Sequence, residues 1–405
     1  MIRFHPDLAS LPPSARAAFA RVLDPYDPAT FFDEVFEDRH QLIARDDSAR
    51  FEDLVSIAAL DDFIATHELH AGMIDMTRAE PQIMRNQFIQ DNEAIDRSAV
   101  MRLYQDKSTL IAPHFHSYHK PLADFVRALE PVFSAQVQTN IYLTPPGAQG
   151  FRTHYDNHDV FVLQVTGSKK WRLYNTPVDK PFRGEGFEPG VHDVGEPEEE
   201  FVLHAGDTIY IPRGMMHDAD SFDDHASLHI TLGLVVKTWA DLVLESISKV
   251  ALDMDSMRRA LPPGYANPGF DRGPAREQFA RFVAEIADKA EFDDPLDIIA
   301  EDYLKGRAPE LGGIINHASN IIAPDQRYRS VGDALYRIVA DEENEGNFIV
   351  TTRGGASEYN GAKRPAFDRA MSGEDFAAAD LPGMEEQEAR DLITRLISRG
   401  LVVPV

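Results

Sequence analysis

Cysteine is absent from the 405 residues of this sequence. Disulfide bonds, cysteine-bound zinc, iron–sulfur clusters and thiol nucleophiles are therefore excluded, and we expect a cytoplasmic location. Long hydrophobic runs are lacking as well. The best candidate, residues 231–244, is interrupted by Lys237 and Asp241, so we expect no membrane-spanning segment. The N-terminal residues contain no apolar run of the signal-peptide kind, and we expect no such peptide.

Positive charge is scarce, since 40 lysine and arginine residues face 67 acidic residues and give a net charge of −27. A field of this sign repels nucleic acids and anionic lipids, so it disfavours direct nucleic-acid binding. Two interpretations of the acidity stay open: it keeps the protein soluble, or it attracts a cationic partner such as a basic protein. A hydrophobic fraction of 43% is typical of a globular chain.

The pattern of residue types changes twice along the chain. Residues 1–100 mix short helical patterns with loops. From about residue 101 to 238, short runs rich in Val, Ile, Thr and Tyr alternate with Gly/Pro turns, which favours a β-barrel or sandwich. These runs cover residues 137–143, 160–165, 170–174, 201–203, 208–211 and 227–234.

Beyond Trp239 the apolar residues take a helical spacing for about 80 residues. The chain then ends in an amphipathic helix, a stop at Gly400 and a short strand, an order that suits a small winged-helix module. We therefore predict three domains, which cover residues 1–239, 240–325 and 326–405.

Two segments carry residues suited to metal binding. In a strand, residues two apart face the same side, so His154 and Asp156 would point into a barrel while Tyr155 points away. Residues 206–217 read GDTIYIPRGMMH, a Gly-Asp turn, a β-run and a Pro-Arg-Gly turn that ends at His217. Two histidines and one carboxylate on one face of an octahedral metal leave three positions open, as in non-haem Fe(II) oxygenases.

The same segments carry a family resemblance. Residues 140–171 read NIYLTPPGAQGFRTHYDNHDVFVLQVTGSKKW, and together with residues 206–217 they resemble the JmjC/cupin-type 2-oxoglutarate oxygenases of the ribosomal oxygenase family. The resemblance implies a mainly β catalytic domain, a double-stranded β-helix or cupin jelly roll of the JmjC type, over residues 1–239. It also implies a helical dimerisation region over 240–325, a winged helix over 326–405, and a homodimer. Fe(II) would be bound by His154, Asp156 and His217.

The resemblance also implies where the co-substrate 2-oxoglutarate binds. Its distal carboxylate needs a cation inside an apolar barrel, and the family's Lys or Arg at this place matches Lys169, whereas Lys170 should point the other way. Tyr142 matches a tyrosine that hydrogen-bonds the same carboxylate. Asn140, on the same strand face, is expected to line the pocket or to be a buried Asn satisfied by backbone. Some members have a co-substrate-binding serine where this chain has Gly233.

Two further predictions concern residues near these motifs. We expect the pair His158-Asp159 to lie in a solvated loop, without a role. His229 lies in a β-run and could face the pocket, but we expect it to be a satisfied core histidine.

The intact Asp156 favours hydroxylation, because iron halogenases with this scaffold have a small residue there. The expected reaction uses O2 and converts 2-oxoglutarate to succinate and CO2, and the expected substrate is a side chain of a ribosomal or other basic protein. One alternative is hydroxylation of a small molecule or a biosynthetic peptide, and another is a non-catalytic metal-binding cupin or interaction module.

Residues 330–405 contain 8 basic and 14 acidic residues, so we interpret the winged helix as a protein-binding or substrate-positioning element.

Overall fold

A computed structural model describes residues 4–307, 309, 326–341 and 343–405. The chain divides into two compact units, of which the first ends at Val236 and the second begins at Lys237. The end of the predicted dimerisation region, residues 310–325, lies outside the described residues. In the described part of the chain, no helix combines the length and the apolar character needed to cross a bilayer.

The first unit contains five α-helices and ten strands among its described residues. The helices are α1 (Pro13–Leu23), α2 (Pro28–Thr30), α3 (Ile57–Thr66), α4 (Arg97–Gln105) and α5 (Lys120–Phe133). The strands are β1 (Gln41–Ile43), β2 (Asp75–Thr77), β3 (Thr109–Pro113), β4 (Gln136–Thr144), β5 (Asp159–Thr166), β6 (Ser168–Leu173), β7 (Glu199–His204), β8 (Thr208–Ile211), β9 (His217–Ser221) and β10 (Ser227–Val235).

These strands form two antiparallel sheets. The larger sheet has the order β1-β8-β5-β10-β4-β3-β2, and the smaller has the order β7-β6-β9. From β5 to β10 the chain passes back and forth between the sheets, which is the winding of a double-stranded β-helix. Each of the six β-runs predicted from the sequence forms a strand, and the mainly β, cupin-type fold of this region is confirmed.

Strand β5 is buried on both faces, which explains its unbroken apolar sequence. Phe161 belongs to the core under the helices, where its ring lies 5.6 Å from Phe31 and 5.0 Å from Tyr210. Val160 and Val162 point the other way, into an apolar layer between the two sheets. Full burial of a large apolar side chain stabilises the fold by about 1.5–3 kcal/mol.

A glycine makes the step from the larger to the smaller sheet. Gly167 separates β5 from β6 and has a φ of +70°. A Cβ atom there would lie 2.3 Å from the carbonyl oxygen of Ala226, so both the conformation and the space require glycine. The turn fixes the start of β6, and with it the direction of Lys169.

A buried ionic network ties the N-terminal segment to the barrel. Arg213 donates to Asp159 and to Glu37, both at 2.6 Å, and the Tyr210 hydroxyl donates to Asp159 at 2.8 Å. The Asp159 side chain is fully buried. The prediction of a solvated loop is therefore wrong for Asp159, because a buried carboxylate needs such partners. Strand β1 also pairs with β8 in the larger sheet.

The second unit combines helices with small sheets. Its described elements are α6 (Trp239–Asp253), α7 (Gly273–Lys289), α8 (Asp293–Lys305), β11 (Tyr328–Ser330), β12 (Tyr336–Ala340), β13 (Phe348–Thr352), β14 (Gly355–Tyr359), α9 (Arg364–Ala370), α10 (Glu386–Ser398) and β15 (Val402–Pro404). Strands β12, β13 and β14 form one sheet, and β11 pairs with β15. The amphipathic helix near the C-terminus is confirmed, since α10 buries the apolar face predicted for it.

Candidate metal centre

The two predicted metal-binding segments meet at a backbone pair. The His154 amide donates to the His217 carbonyl at 3.1 Å, and the His217 amide donates to the His154 carbonyl at 2.7 Å. His217 is the first residue of β9, whereas residues 154–156 lie outside any strand. The expectation that this triplet lies within a strand is therefore wrong. An antiparallel pair of this kind holds its two side chains side by side, and the imidazole centroids are 4.8 Å apart.

Asp156 completes the group. The ligand atoms of His154, Asp156 and His217 all lie within 4.8 Å of one another, and His217 Nε2 is 3.9 Å from an Asp156 carboxylate oxygen. The Asp156 carbonyl accepts a hydrogen bond from the Gly214 amide at 2.9 Å, which fixes the loop. Tyr155 packs instead into a separate buried apolar cluster, so the predicted opposite direction of this side chain is correct.

Backbone carbonyls orient both imidazoles. His154 Nδ1 is 2.9 Å from the Arg152 carbonyl oxygen, and His217 Nδ1 is 3.0 Å from the Met215 carbonyl oxygen. A carbonyl only accepts hydrogen bonds, so each Nδ1 carries the proton and donates it. The lone pair on each Nε2 is then available for a metal ion, as in most protein histidine ligands.

The protonation states also suit a metal ion. Burial and the neighbouring His154 lower the pKa of His217 to about 4, so its ring is neutral at pH 7. Burial raises the pKa of Asp156, but His154, His158 and His217 outweigh this effect and the pKa is lowered overall. A deprotonated carboxylate with a neutral imidazole is what divalent metal binding requires.

The buried carboxylate of Asp218 stabilises the strand that begins with His217. Asp218, next to His217 in β9, accepts hydrogen bonds from Arg172 Nε at 2.8 Å and from the Tyr174 hydroxyl at 2.8 Å. The Thr153 hydroxyl donates to it at 2.6 Å. Asp218 therefore links Thr153, the residue before His154, to Arg172 of the smaller sheet, and holds the two histidine segments in register.

The triad faces a pocket between the two sheets, and Lys169 lies in that pocket. Lys169 is 4% exposed, and no carboxylate of the described residues lies within ion-pair distance of it. Burial lowers its pKa to about 7, although Asp220 acts in the opposite direction. Lys170 points the other way, as predicted, and forms an ion pair with Glu200 at 2.6 Å.

Tyr142 lines the same pocket, and the Asn140 side chain forms a hydrogen bond with it. Burial raises the pKa of Tyr142, while a hydrogen bond with the Asn140 side chain works against this rise. Asn140 is not among the residues that line the pocket, so the expectation of a direct pocket residue is replaced by a contact with Tyr142. At Gly233 a Cβ atom would lie 2.5 Å from the His158 ring. This position therefore offers no side-chain contact to a ligand.

His229 and Thr231 are pocket residues that the sequence interpretation missed or placed elsewhere. Both lie on β10 and line the pocket beside the triad. His229 is opposite Tyr142 in the strand register, and their rings stack at 4.8 Å with an interplanar angle of 13°. The signal in the sequence was the alternation of His229, Thr231 and Gly233 along one face of a strand. The expectation of a satisfied core histidine is wrong, because His229 Nδ1 has no hydrogen-bond partner in the described part of the chain.

A second, open cavity adjoins this pocket. It has a volume of about 520 Å³ and shares Gly150 and Phe151 with the metal pocket. Three arginines line it, and each already forms an ion pair with a carboxylate: Arg78 with Asp106, Arg85 with Glu93 and Arg152 with Glu80. Asp75 lines the cavity as well, so the arginines, their carboxylate partners and Asp75 together carry no surplus of positive charge.

Comparisons with known proteins agree with this geometry. Residues 112–242 match the model of the JmjC domain family. The chain is 30% identical over 310 residues to human ribosomal oxygenase 1, with 72% of this chain and 48% of that protein covered. It is 34% identical over 254 residues to the bifunctional lysine-specific demethylase and histidyl-hydroxylase NO66 of Drosophila grimshawi, with 60% and 34% covered. The chain thus spans about half the length of the curated relatives it matches.

Solved structures share the fold. The ribosomal oxygenase YcfD of Escherichia coli, in complex with cobalt and 2-oxoglutarate, has a TM-score of 0.53 at 15% identity. The alignment covers 94% of this chain and 98% of that chain. The YcfD structure with cobalt and succinic acid has a TM-score of 0.54 at 16% identity and the same coverage.

The triad predicts a single divalent metal site. We expect the parent protein to bind one Mn(II) or Co(II) ion in isothermal titration calorimetry. His154→Ala or Asp156→Ala should weaken binding at least about 10-fold, since each removes one of three ligands. His204→Ala, at an exposed histidine of β7, serves as the matched control and should bind like the parent. Unchanged affinity in the triad variants would rule the assignment out.

Proposed function

Because the chain belongs to the JmjC-domain proteins related to the ribosomal oxygenases, we propose that it is an Fe(II)- and 2-oxoglutarate-dependent hydroxylase of a protein side chain. The observation that carries the proposal is the His154–Asp156–His217 group, which opens onto a pocket that contains a buried lysine. Bound Fe(II), with 2-oxoglutarate and O2, would supply the oxidising chemistry: 2-oxoglutarate and O2 become succinate and CO2 while one oxygen atom hydroxylates the substrate.

The donor set fits this metal. Two imidazoles and one carboxylate on one side of an ion leave three positions for a bidentate keto acid and for O2. The Nδ1 hydrogen bonds to backbone carbonyls keep both Nε2 atoms directed at the same point. Residues of this chain therefore bind and orient the metal.

The pocket beyond the metal fits a dicarboxylate. A buried lysine without a carboxylate partner is costly, and an incoming carboxylate would pair with it. We propose that Lys169 binds the distal carboxylate of 2-oxoglutarate and that the Tyr142 hydroxyl donates to the same group. Asn140 would hold that hydroxyl in place. The apolar side chains of Val160 and Val162 exclude water from this end of the pocket.

We propose a side chain of a ribosomal or other basic protein as the substrate. The names of the relatives support this class, since they are ribosomal oxygenases and a histidyl-hydroxylase. The open cavity of about 520 Å³ beside the metal pocket offers room for a chain segment. The net charge of −27 suits a cationic protein. A cytoplasmic location is part of the proposal.

We further propose that residues 240–325 form a dimerisation region and residues 326–405 a winged-helix module. Helix α7 has no buried residue, and the side chains of Phe279 and Val283, one turn apart, are 69% and 47% exposed. Exposed apolar faces of this kind mark interaction surfaces, and a second copy of the chain would cover them. The acidic balance of residues 330–405 supports a protein partner rather than a nucleic acid.

Mass spectrometry tests the activity. We expect a +16 Da product on a ribosomal protein when a cell extract is incubated with enzyme, Fe(II), 2-oxoglutarate and ascorbate. The matched reaction with Asp156→Ala should give no product and no succinate above background. A +16 Da product found only among metabolites or small peptides would replace the protein substrate with the small-molecule alternative.

The Lys169 assignment predicts a graded loss of co-substrate affinity. Lys169→Ala should weaken 2-oxoglutarate binding roughly 10²–10³-fold, because removal of one member of a buried ion pair costs about 3–5 kcal/mol. Lys169→Arg keeps the charge and should lose much less 2-oxoglutarate affinity. Lys170→Ala, which removes the neighbouring lysine that points the other way, is the control. Calorimetry of the Mn(II)-loaded proteins measures these affinities. Equal binding by the Ala and Arg variants would exclude Lys169 as the partner.

The dimer proposal predicts an oligomer that depends on α7. Light scattering at micromolar concentration should give twice the chain mass for the parent, and the double variant Phe279→Asp/Val283→Asp should be a monomer, because it buries two charges in the interface. Phe182→Asp, at an exposed aromatic of the first unit, is the control and should remain a dimer. A monomeric parent would refute the proposal.

A further inference from the structure

We propose that His229 is a third residue that binds the distal carboxylate of 2-oxoglutarate, beside Lys169 and Tyr142. The inference rests on the proposed function, because it assumes that this co-substrate occupies the pocket. It goes beyond the resemblance to the family, which points to Lys169 and Tyr142 and leaves the contact at Gly233 without a replacement.

His229 is held rigidly within the pocket wall. Its side chain lies on β10 and is only 3% exposed. One face of the imidazole stacks on Tyr142 at 4.8 Å, and the ring meets Trp171 edge to face at 5.9 Å with an angle of 69°. Tyr142, Trp171 and Lys169 all line the same pocket as His229. The imidazole is thus fixed among the residues proposed to receive the carboxylate.

One ring nitrogen of His229 forms no hydrogen bond with the described residues. Its Nδ1 is buried and has no partner among the residues that the structure describes. Buried polar atoms in folded proteins are almost always paired, and an orphan calls for an explanation such as an absent ligand. A carboxylate in the pocket would provide an acceptor for the N–H group of the imidazole.

The charges around the ring favour an anion as that ligand. Burial and the positive charge of Lys169 lower the pKa of His229 well below its usual value, so the ring is neutral at pH 7. A neutral imidazole has one N–H group to donate. Lys169 supplies the positive charge and has no carboxylate partner of its own among the described residues. Lys169 and His229 therefore bring a cation and an imidazole N–H group to the same pocket.

The neighbouring positions of β10 explain why His229 is the residue of this strand that would contact the distal carboxylate. His229, Thr231 and Gly233 share the face of the strand that looks into the barrel. At Gly233 the His158 ring fills the space in which a side chain would lie. Position 233 therefore has no room for a side chain that could donate a hydrogen bond, whereas His229 lies opposite Tyr142 in the strand register.

A comparison of two metal chelators tests the inference without enzyme turnover. Oxalate chelates a metal through two oxygens, as 2-oxoglutarate does, but has no distal carboxylate. In calorimetry of the Mn(II)-loaded protein, His229→Phe keeps the aromatic stack and should weaken 2-oxoglutarate about 10- to 100-fold, the loss expected for a hydrogen bond to a charged group. Oxalate and Mn(II) affinities should stay within about twofold of the parent.

Two further variants keep the test decisive. His229→Gln retains a side-chain N–H donor and should recover part of the lost 2-oxoglutarate affinity. In the double variant with Lys169→Ala, the loss of 2-oxoglutarate binding free energy should be smaller than the sum of the two single losses, because both residues would bind one carboxylate. A parent-like 2-oxoglutarate affinity in His229→Phe, or an equal loss for oxalate, would overturn the role of His229 alone. A parent protein that binds oxalate but not 2-oxoglutarate would overturn the proposed function as well.

Discussion

The site depends on one pair of backbone hydrogen bonds, between His154 and His217. Sixty-three positions separate these residues in sequence, and the reciprocal bonds bring their side chains onto the same face of the smaller sheet. Main-chain atoms set this geometry, and the Asp218 side chain reinforces it through its hydrogen bond with Thr153. Asp156 then needs only a short loop, pinned by the Gly214 amide, to reach the same point.

The interior of the barrel contains an apolar layer between the sheets and, next to it, a polar cavity. Val160 and Val162 belong to the apolar layer that joins the sheets, while the triad, Lys169 and His229 form a polar cavity above them. Burying an unpaired lysine and an unpaired imidazole nitrogen costs stability. The large core under the helices offsets this cost, and the cavity keeps two groups whose partners are expected to arrive with a ligand.

The sequence predicted the strands well, and it singled out the three residues that the structure brings together as a triad, for a physical reason. Strand periodicity and turn residues are local signals, and His154, Asp156 and His217 lie in dense local motifs. The predictions failed where the answer depended on distant contacts. Asp159 is buried because Arg213 and Glu37 reach it from other elements, and no pattern near residue 159 reports this.

His229 shows the same limit in a different way. Its place in a β-run was visible, but the choice between core and pocket depends on the strand opposite it, and register is not encoded locally. Residues 326–330 are mostly polar, yet Tyr328–Ser330 forms a strand because it pairs with β15, more than seventy residues away.

The pairing of β1 with β8 bears on how this domain can be cut or transplanted. The family match begins at residue 112, yet Glu37 neutralises Arg213 and β1 covers one edge of the larger sheet. A fragment trimmed to the matched span would carry a bare strand edge and an arginine stripped of one of its two carboxylates, both of which invite aggregation. The smallest independently folding piece therefore extends well upstream of the recognisable motif, and grafts of this catalytic scaffold onto other proteins have to carry that N-terminal segment with them.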